Sequence, residues 1–158
     1  MTSALVGDPA EALAAFARAS RALATGAGFG ATLRELVDAV AGATGADLAA
    51  VWLSLRHGPV VADTVRAASA GLAAELDGVR AATLAEGAEL VRGRVDADAQ
   101  LLVVPFDAPE GPAALQLVRR GAPFTAEETR LASVAADLAS VATRTGDGPT
   151  GPGAAPAL

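Results

Sequence analysis

Four side chains have the chemistry and the setting to hold a small molecule: Trp52, Arg66, Ser69 and Gln116. Trp52 is the only tryptophan and lies midway along an apolar segment, DLAAVWLSL. Its ring is either core or a flat wall on which a planar ligand stacks. Arg66 and Gln116 are polar positions inside otherwise apolar segments, VVADTVRAAS and PAALQLVRR. Facing water or at a sheet edge they are ordinary. On the Trp52 side they are the convergent polar groups that a small-molecule site needs. Ser69 adds a hydroxyl at the end of the Arg66 segment.

Catalytic chemistry has few residues to use. The one histidine, His57, stands beside Gly58-Pro59 and reads as an exposed turn residue. No serine sits in a Gly-x-Ser-x-Gly elbow; Ser69 in AASAG comes nearest, with Ala67 where the first glycine is needed. Cysteine is absent, which removes disulfides, thiolate metal sites and thiol catalysis together. Lysine is absent too, so neither a Schiff base nor a phosphate-clamping ammonium is available. Asp96 and Asp98 share a loop but lack the ligand number and the glycine of a calcium loop. The expectation is a non-enzyme with no catalytic residue, no metal and no cofactor.

Bulk properties narrow the partners. The 158 residues are 52% hydrophobic and 19% charged, the balance of one globular domain. The net charge of -6, with no clustered basic face, excludes the electrostatic footprint of a nucleic-acid binder. No run approaches the ~18 apolar residues of a membrane span. The opening MTSALVGDPAEA lacks the basic and apolar regions of a signal peptide. The expected location is the cytoplasm.

The elements that must position the candidate residues follow from periodicity. Asp8-Pro9-Ala10-Glu11 announces a first helix, with Leu13, Phe16, Ala17, Ser20 and Leu23 or Ala24 recurring at helical spacing. Gly26, Gly28 and Gly30 form a link to the next helix rather than a phosphate loop, because no strand precedes them and Ala31 stands where the last glycine belongs. Leu33, Leu36, Val37, Val40 and Thr44 make the stripe of a second helix, ending at Gly45. A strand from Asp47 alternates Ala49, Val51, Leu53 and Leu55 with Leu48, Ala50, Trp52 and Ser54. His57-Gly58-Pro59 then turns it into a hairpin.

Gly71 to Leu84 is weakly helical through Leu72, Leu76 and Val79, Gly87 breaks the pattern, and Glu89–Val95 reads as a short strand. Leu101–Phe106, apolar on both faces, reads as a buried strand that pairs with Ala113–Arg120. Thr125 and Glu128 form a capping box for a last helix, with Phe124 placed to staple against Thr129. One face of that helix carries Leu131, Val134, Leu138 and Val141, and another carries Ala132, Ala136, Ala139 and Thr143. After Arg144 the chain turns Gly/Pro-rich, as in a disordered tail or linker.

With these elements in order, the chain resembles a GAF domain, the small-molecule-sensing module of bacterial signalling proteins. The resemblance rests on TLRELVDAVAGATGADLAAVWLSL, VRAASAG, LLVVPF, PAALQLVRRGAPF and FTAEETRLASVAADLASVA, covering roughly Thr32–Thr143. It implies an α+β fold with a central antiparallel sheet of roughly five to six strands. The N- and C-terminal helices would pack on one face; short helices and loops would cover the other and form the ligand pocket. Residues 1–27 would be the N-terminal helix, 28–144 the GAF-like domain and 145–158 the tail. The Asn- and Lys-bearing signature of cyclic-nucleotide members cannot occur, because both residues are absent. Bilin attachment and the methionine-sulfoxide reductase chemistry of the family need cysteine, and haem ligation would fall to His57 alone. Isoleucine and tyrosine are missing as well, which reads as codon bias of a GC-rich, actinobacterium-like genome.

Two functions are compatible with this pattern. In the first, the chain is a non-enzymatic sensory module that binds an unidentified small molecule through Trp52, Arg66, Ser69 and Gln116 and passes the signal to an output domain or partner protein. In the second, the fold serves interaction, as a homodimer through the Ala-rich faces of the terminal helices.

Overall fold

The computed structural model describes residues 9–24, 29–56 and 58–146. It contains α1 (Pro9–Ala24), α2 (Phe29–Thr44), β1 (Leu48–Ser54), β2 (Val60–Ala67), α3 (Ala70–Leu76) and β3 (Arg80–Ala81), followed by α4 (Leu84–Val95), β4 (Gln100–Ala108), β5 (Gly111–Arg119) and α5 (Ala126–Val141). A π-helical turn, Ala142–Gly146, continues α5. The strands form one five-stranded sheet in the order β3-β2-β1-β5-β4, with every neighbouring pair antiparallel. The fold is α+β, and helices cover both faces of the sheet.

The alternation expected along β1 sets the two layers. Ala49 and Val51 face a core built from α1, α2 and α5, including Phe16, Leu36, Val40 and Leu131. Leu48, Ala50 and Trp52 face a second core with Leu76 of α3 and Val91 and Val95 of α4. Period-two alternation makes the assignment unambiguous, because a slip of one residue would exchange the two sets. The α2 stripe from Leu33 to Thr44 is buried as expected, and Gly45, at φ 65°, ends the helix in the left-handed region that favours glycine.

Several expectations need correction. The segment expected as a strand, Glu89–Val95, lies inside α4; Thr83 caps that helix by accepting from the Glu86 N–H. Gly87 does not break α4, because it is there for close packing rather than for a turn. The helical stretch after Gly71 ends at Leu76. Gly78 then turns at φ 81°, and Arg80–Ala81 pairs with β2. Leu101–Phe106 is not a buried central strand, because β4 lies at the sheet edge and its residues are mostly half-buried.

On α1 the buried stripe is Ala15, Phe16 and Ala19, while Leu13 is exposed. On α5 the two expected faces exchange roles: Ala132, Ala135, Ala136 and Ala139 are buried in the chain's own core, and Val134 and Val141 are exposed. Small side chains let α5 approach the sheet and α2 closely, which counts for more here than the hydrophobicity of any one residue. The Ala-rich face of α5, expected to carry part of a homodimer contact, is therefore used internally, while Ala14 and Ala17 of α1 are exposed. The Asp8 cap, Gly26 and Gly28, the His57 turn and the tail from 147 lie outside the described residues, while Gly30 falls within α2.

Candidate functional site

The Trp52 side chain enters the space between the sheet and α4. It is 1% exposed, and its indole N–H donates to Gln116 Oε1 at 2.7 Å. Gln116 is fully buried on β5 opposite Ala50, so it shares the Trp52 face. Its Nε2 donates to the Ala88 carbonyl of α4 at 2.9 Å. An indole can only donate and a carbonyl can only accept, which fixes the orientation of the amide between them. The chain indole–amide–helix carbonyl thus ties three elements together through two hydrogen bonds in a low-dielectric interior.

Gly87 makes this contact possible. A Cβ at that position would stand 2.7 Å from Trp52 Cη2 and 2.9 Å from Cζ2 and Cζ3. Only the bare backbone of α4 fits over the ring, so the helix seals the face on which a pocket was expected. No buried side-chain nitrogen or oxygen among the described residues lacks a hydrogen-bond partner.

The other two expected site residues lie elsewhere. Arg66 pairs with Ala49 and so faces the α1–α2–α5 side, where its NH1 donates to the Asp38 carbonyl and its Nε lies 3.7 Å from Asp38 Oδ1. The cause is a bulge in β2. The register passes from Trp52↔Ala62 to Val51↔Thr64, leaving Asp63 as the extra residue. The extra residue reverses the alternation of everything after it. Without the bulge, Arg66 would share the face of Ala62 and Trp52. Ser69 is the N-cap of α3, its Oγ accepting from the Leu72 N–H at 3.1 Å. The structure therefore brings Trp52 and Gln116 together and leaves Arg66 and Ser69 apart from them. Gly87 and Ala88 complete the site; the sequence reading missed them because it took Gly87 as a breaker.

Two further features lie on the opposite layer. A cleft of about 400 Å³ runs between α1 and α2, lined by residues including Glu11, Arg18, Glu35, Asp38 and Gly42, with Arg18 and Glu35 paired at 3.3 Å. At the end of β5, the nearly buried Arg119 joins α2 to α5. It donates to the Thr44, Ala122 and Pro123 carbonyls and to both carboxylate oxygens of Glu128, and its guanidinium stacks 4.4 Å above the Phe124 ring. Burial pushes the Glu128 carboxyl up, but the Arg119 hydrogen bond, the Thr125 hydrogen bonds and the Arg119 charge together outweigh it and hold it below the usual carboxylate value. Glu128 and Thr125 also form the expected capping box. Among the described residues no cluster of three or more His, Cys, Asp or Glu side chains could hold a metal ion.

The sequence matches no family model and no curated protein. Solved structures do match. The GAF domain of an Acinetobacter phosphoenolpyruvate-protein phosphotransferase superposes with a TM-score of 0.63 at 15% identity, over 86% of this chain and 94% of that one. The GAF domain of the corresponding Coxiella burnetii phosphotransferase gives 0.61 at 19% identity, over 88% and 97%. The chain has the GAF fold. GAF-B of DevS from Mycobacterium smegmatis, at 22% identity, gives a TM-score of 0.53 over 76% of this chain and 96% of that one. Near-complete coverage of all three domains means that the described elements amount to a full GAF fold rather than a fragment of one. Among the described residues, no helix is long and apolar enough to cross a membrane.

Proposed function

We propose that this chain is a non-enzymatic sensory and regulatory module, and that a planar small molecule reaches Trp52 and Gln116 by displacing α4, which otherwise seals that face. The observation that carries the reading is Gln116. A fully buried amide in the middle of a central strand is tolerated only with its hydrogen bonds made, and here it sets one donor and one acceptor on the Trp52 face. Its two bonds, to the indole and to the Ala88 carbonyl, could be transferred to a ligand that offers one acceptor and one donor, with the Trp52 ring as the stacking wall. Neither side chain is a nucleophile or a general acid, in keeping with binding rather than turnover. The similar GAF domains come from phosphotransferases and from DevS, which favours a role as one part of a signalling protein with an output elsewhere. The absence of cysteine suits a reducing cytoplasm without requiring it.

The sole tryptophan is a built-in reporter. A panel of nucleobases, nucleotides, flavins and indoles is screened by thermal shift, and positives are titrated against Trp52 fluorescence. A true ligand at about 100 times its Kd stabilises by about 2.7 kcal/mol and changes the emission. Gln116→Leu abolishes both responses. A panel without a stabilising compound, together with unchanged Trp52 emission, counts against the sensory reading.

A further inference from the structure

β4 has one strand partner, β5, and among the described residues no strand covers its outer edge. Which of its backbone groups point outward follows from the turn. Pro109 and Glu110 are the only residues between Ala108 and Gly111, so Ala108 and Gly111 form a hydrogen-bonded pair. Stepping back by twos, Phe106, Val104 and Leu102 direct their N–H and C=O groups to β5. Leu101, Val103, Pro105 and Asp107 direct theirs outward.

Two observations agree with that parity. Pro105, which has no N–H, stands where β5 requires none. The Asp107 carbonyl accepts from Ser140 Oγ of α5 at 2.8 Å, beyond the reach of β5. Besides the Pro105 carbonyl and the Asp107 N–H near the turn, what is left is the N–H and C=O of Leu101 and Val103, with no backbone partner among the described residues. The usual defences of an edge strand are confined to the end near the turn, at Pro105 and Asp107: Gln100 to Val104 carries neither charge nor proline.

We propose that this edge pairs with the same edge of a second copy, antiparallel about a two-fold axis at Leu102. In that register Leu101 of each copy faces Val103 of the other, and each such pair exchanges both of its N–H···O=C bonds. Pro105 and the occupied Asp107 carbonyl fall outside the pairs. An axis at Val103 would set Leu101 against Pro105 and leave the Leu101 carbonyl without a donor, whereas the axis at Leu102 pairs every outward N–H and C=O of Leu101 and Val103. The occupant is a second copy because the free donors and acceptors are self-complementary and the pairing stretch, Gln100 to Val104, offers no charge to select a charged partner. The chain's own residues after 146 suit the edge less well, because Pro149, Pro152 and Pro156 interrupt the donors that an added strand needs.

The test combines sedimentation velocity over about a hundred-fold range of concentration with residue-resolved amide exchange at both ends of the range. The expected result is a mass that doubles with concentration while the Leu101 and Val103 amides slow by about ten-fold or more. Val103→Pro removes one outward N–H at the same parity as Pro105; it should stay folded and monomeric, whereas Val134→Glu on the outer face of α5 should leave the dimer intact. If Val103→Pro fails to fold, the amide exchange of the unaltered chain decides alone. A monomer at every concentration overturns the proposal, as does a dimer in which both amides still exchange fast. Protection that ignores concentration and disappears when residues 147–158 are removed also overturns it, by assigning the edge to the chain's own tail.

Discussion

Replacing Gly87 with alanine should destabilise this chain, although the same change in an open helix stabilises. In a helix interior, alanine is better than glycine by about 0.8–1 kcal/mol. At Gly87 the new Cβ would lie within 2.9 Å of three atoms of the Trp52 ring. The ring is 1% exposed and tied to Gln116, so it has no free space to enter. Overpacking of this kind costs about 1–3 kcal/mol. If the ring tilts to escape, the indole hydrogen bond is lost at about 1 kcal/mol more. The net expectation is a loss of about 1–3 kcal/mol. Gly93, in the same helix, provides the control. A Cβ there meets nothing within 4 Å, so Gly93→Ala should gain about 0.5–1 kcal/mol. Urea unfolding followed by Trp52 fluorescence measures both variants against the parent chain. Finding Gly87→Ala as stable as Gly93→Ala, with the Trp52 emission unmoved, would refute the close approach of α4 to the ring and with it the sealed face.

Gln116→Leu keeps the volume but leaves the buried indole N–H without its acceptor, at a cost of about 1–3 kcal/mol. The side-chain N–H resonance of the single tryptophan should shift upfield, and an unmoved resonance in an equally stable protein would contradict the hydrogen bond. Glu128→Gln should cost about 1.5–3 kcal/mol at neutral pH by removing the charge that Arg119 grips. Because the folded carboxyl titrates below its ordinary value of 4.5, its contribution is fully present above that range and is lost as pH falls through the folded value. The stability gap between parent and variant should therefore narrow on acidification, and a gap independent of pH would argue against the pair.

Much of the fold was legible because local signals agreed with the global arrangement. The β1 alternation, the α2 stripe and the Thr125–Glu128 capping box are each set by neighbours a few residues apart, and each appears where expected. The helical run through α4 was not legible, because a glycine required by a tertiary contact looks like one required by a turn. The α5 faces were misassigned for a related reason. Hydrophobicity ranks valine above alanine, but the approach distance of a helix to a sheet can reverse that order.

Of the candidate site, the sequence by itself identified Trp52 and Gln116 as an aromatic and an amide held in apolar strands. Their types and strand positions are local facts, and β1 alternation sufficed to give Trp52 its face. Whether Arg66 joined them depended on one extra residue in β2, and whether the face was open depended on how closely α4 could approach. Both are settled between segments far apart in the chain, where register and packing distance, rather than residue type, carry the information. The same holds for β4: its composition predicts burial, and only the order of strands in the sheet leaves it at an edge.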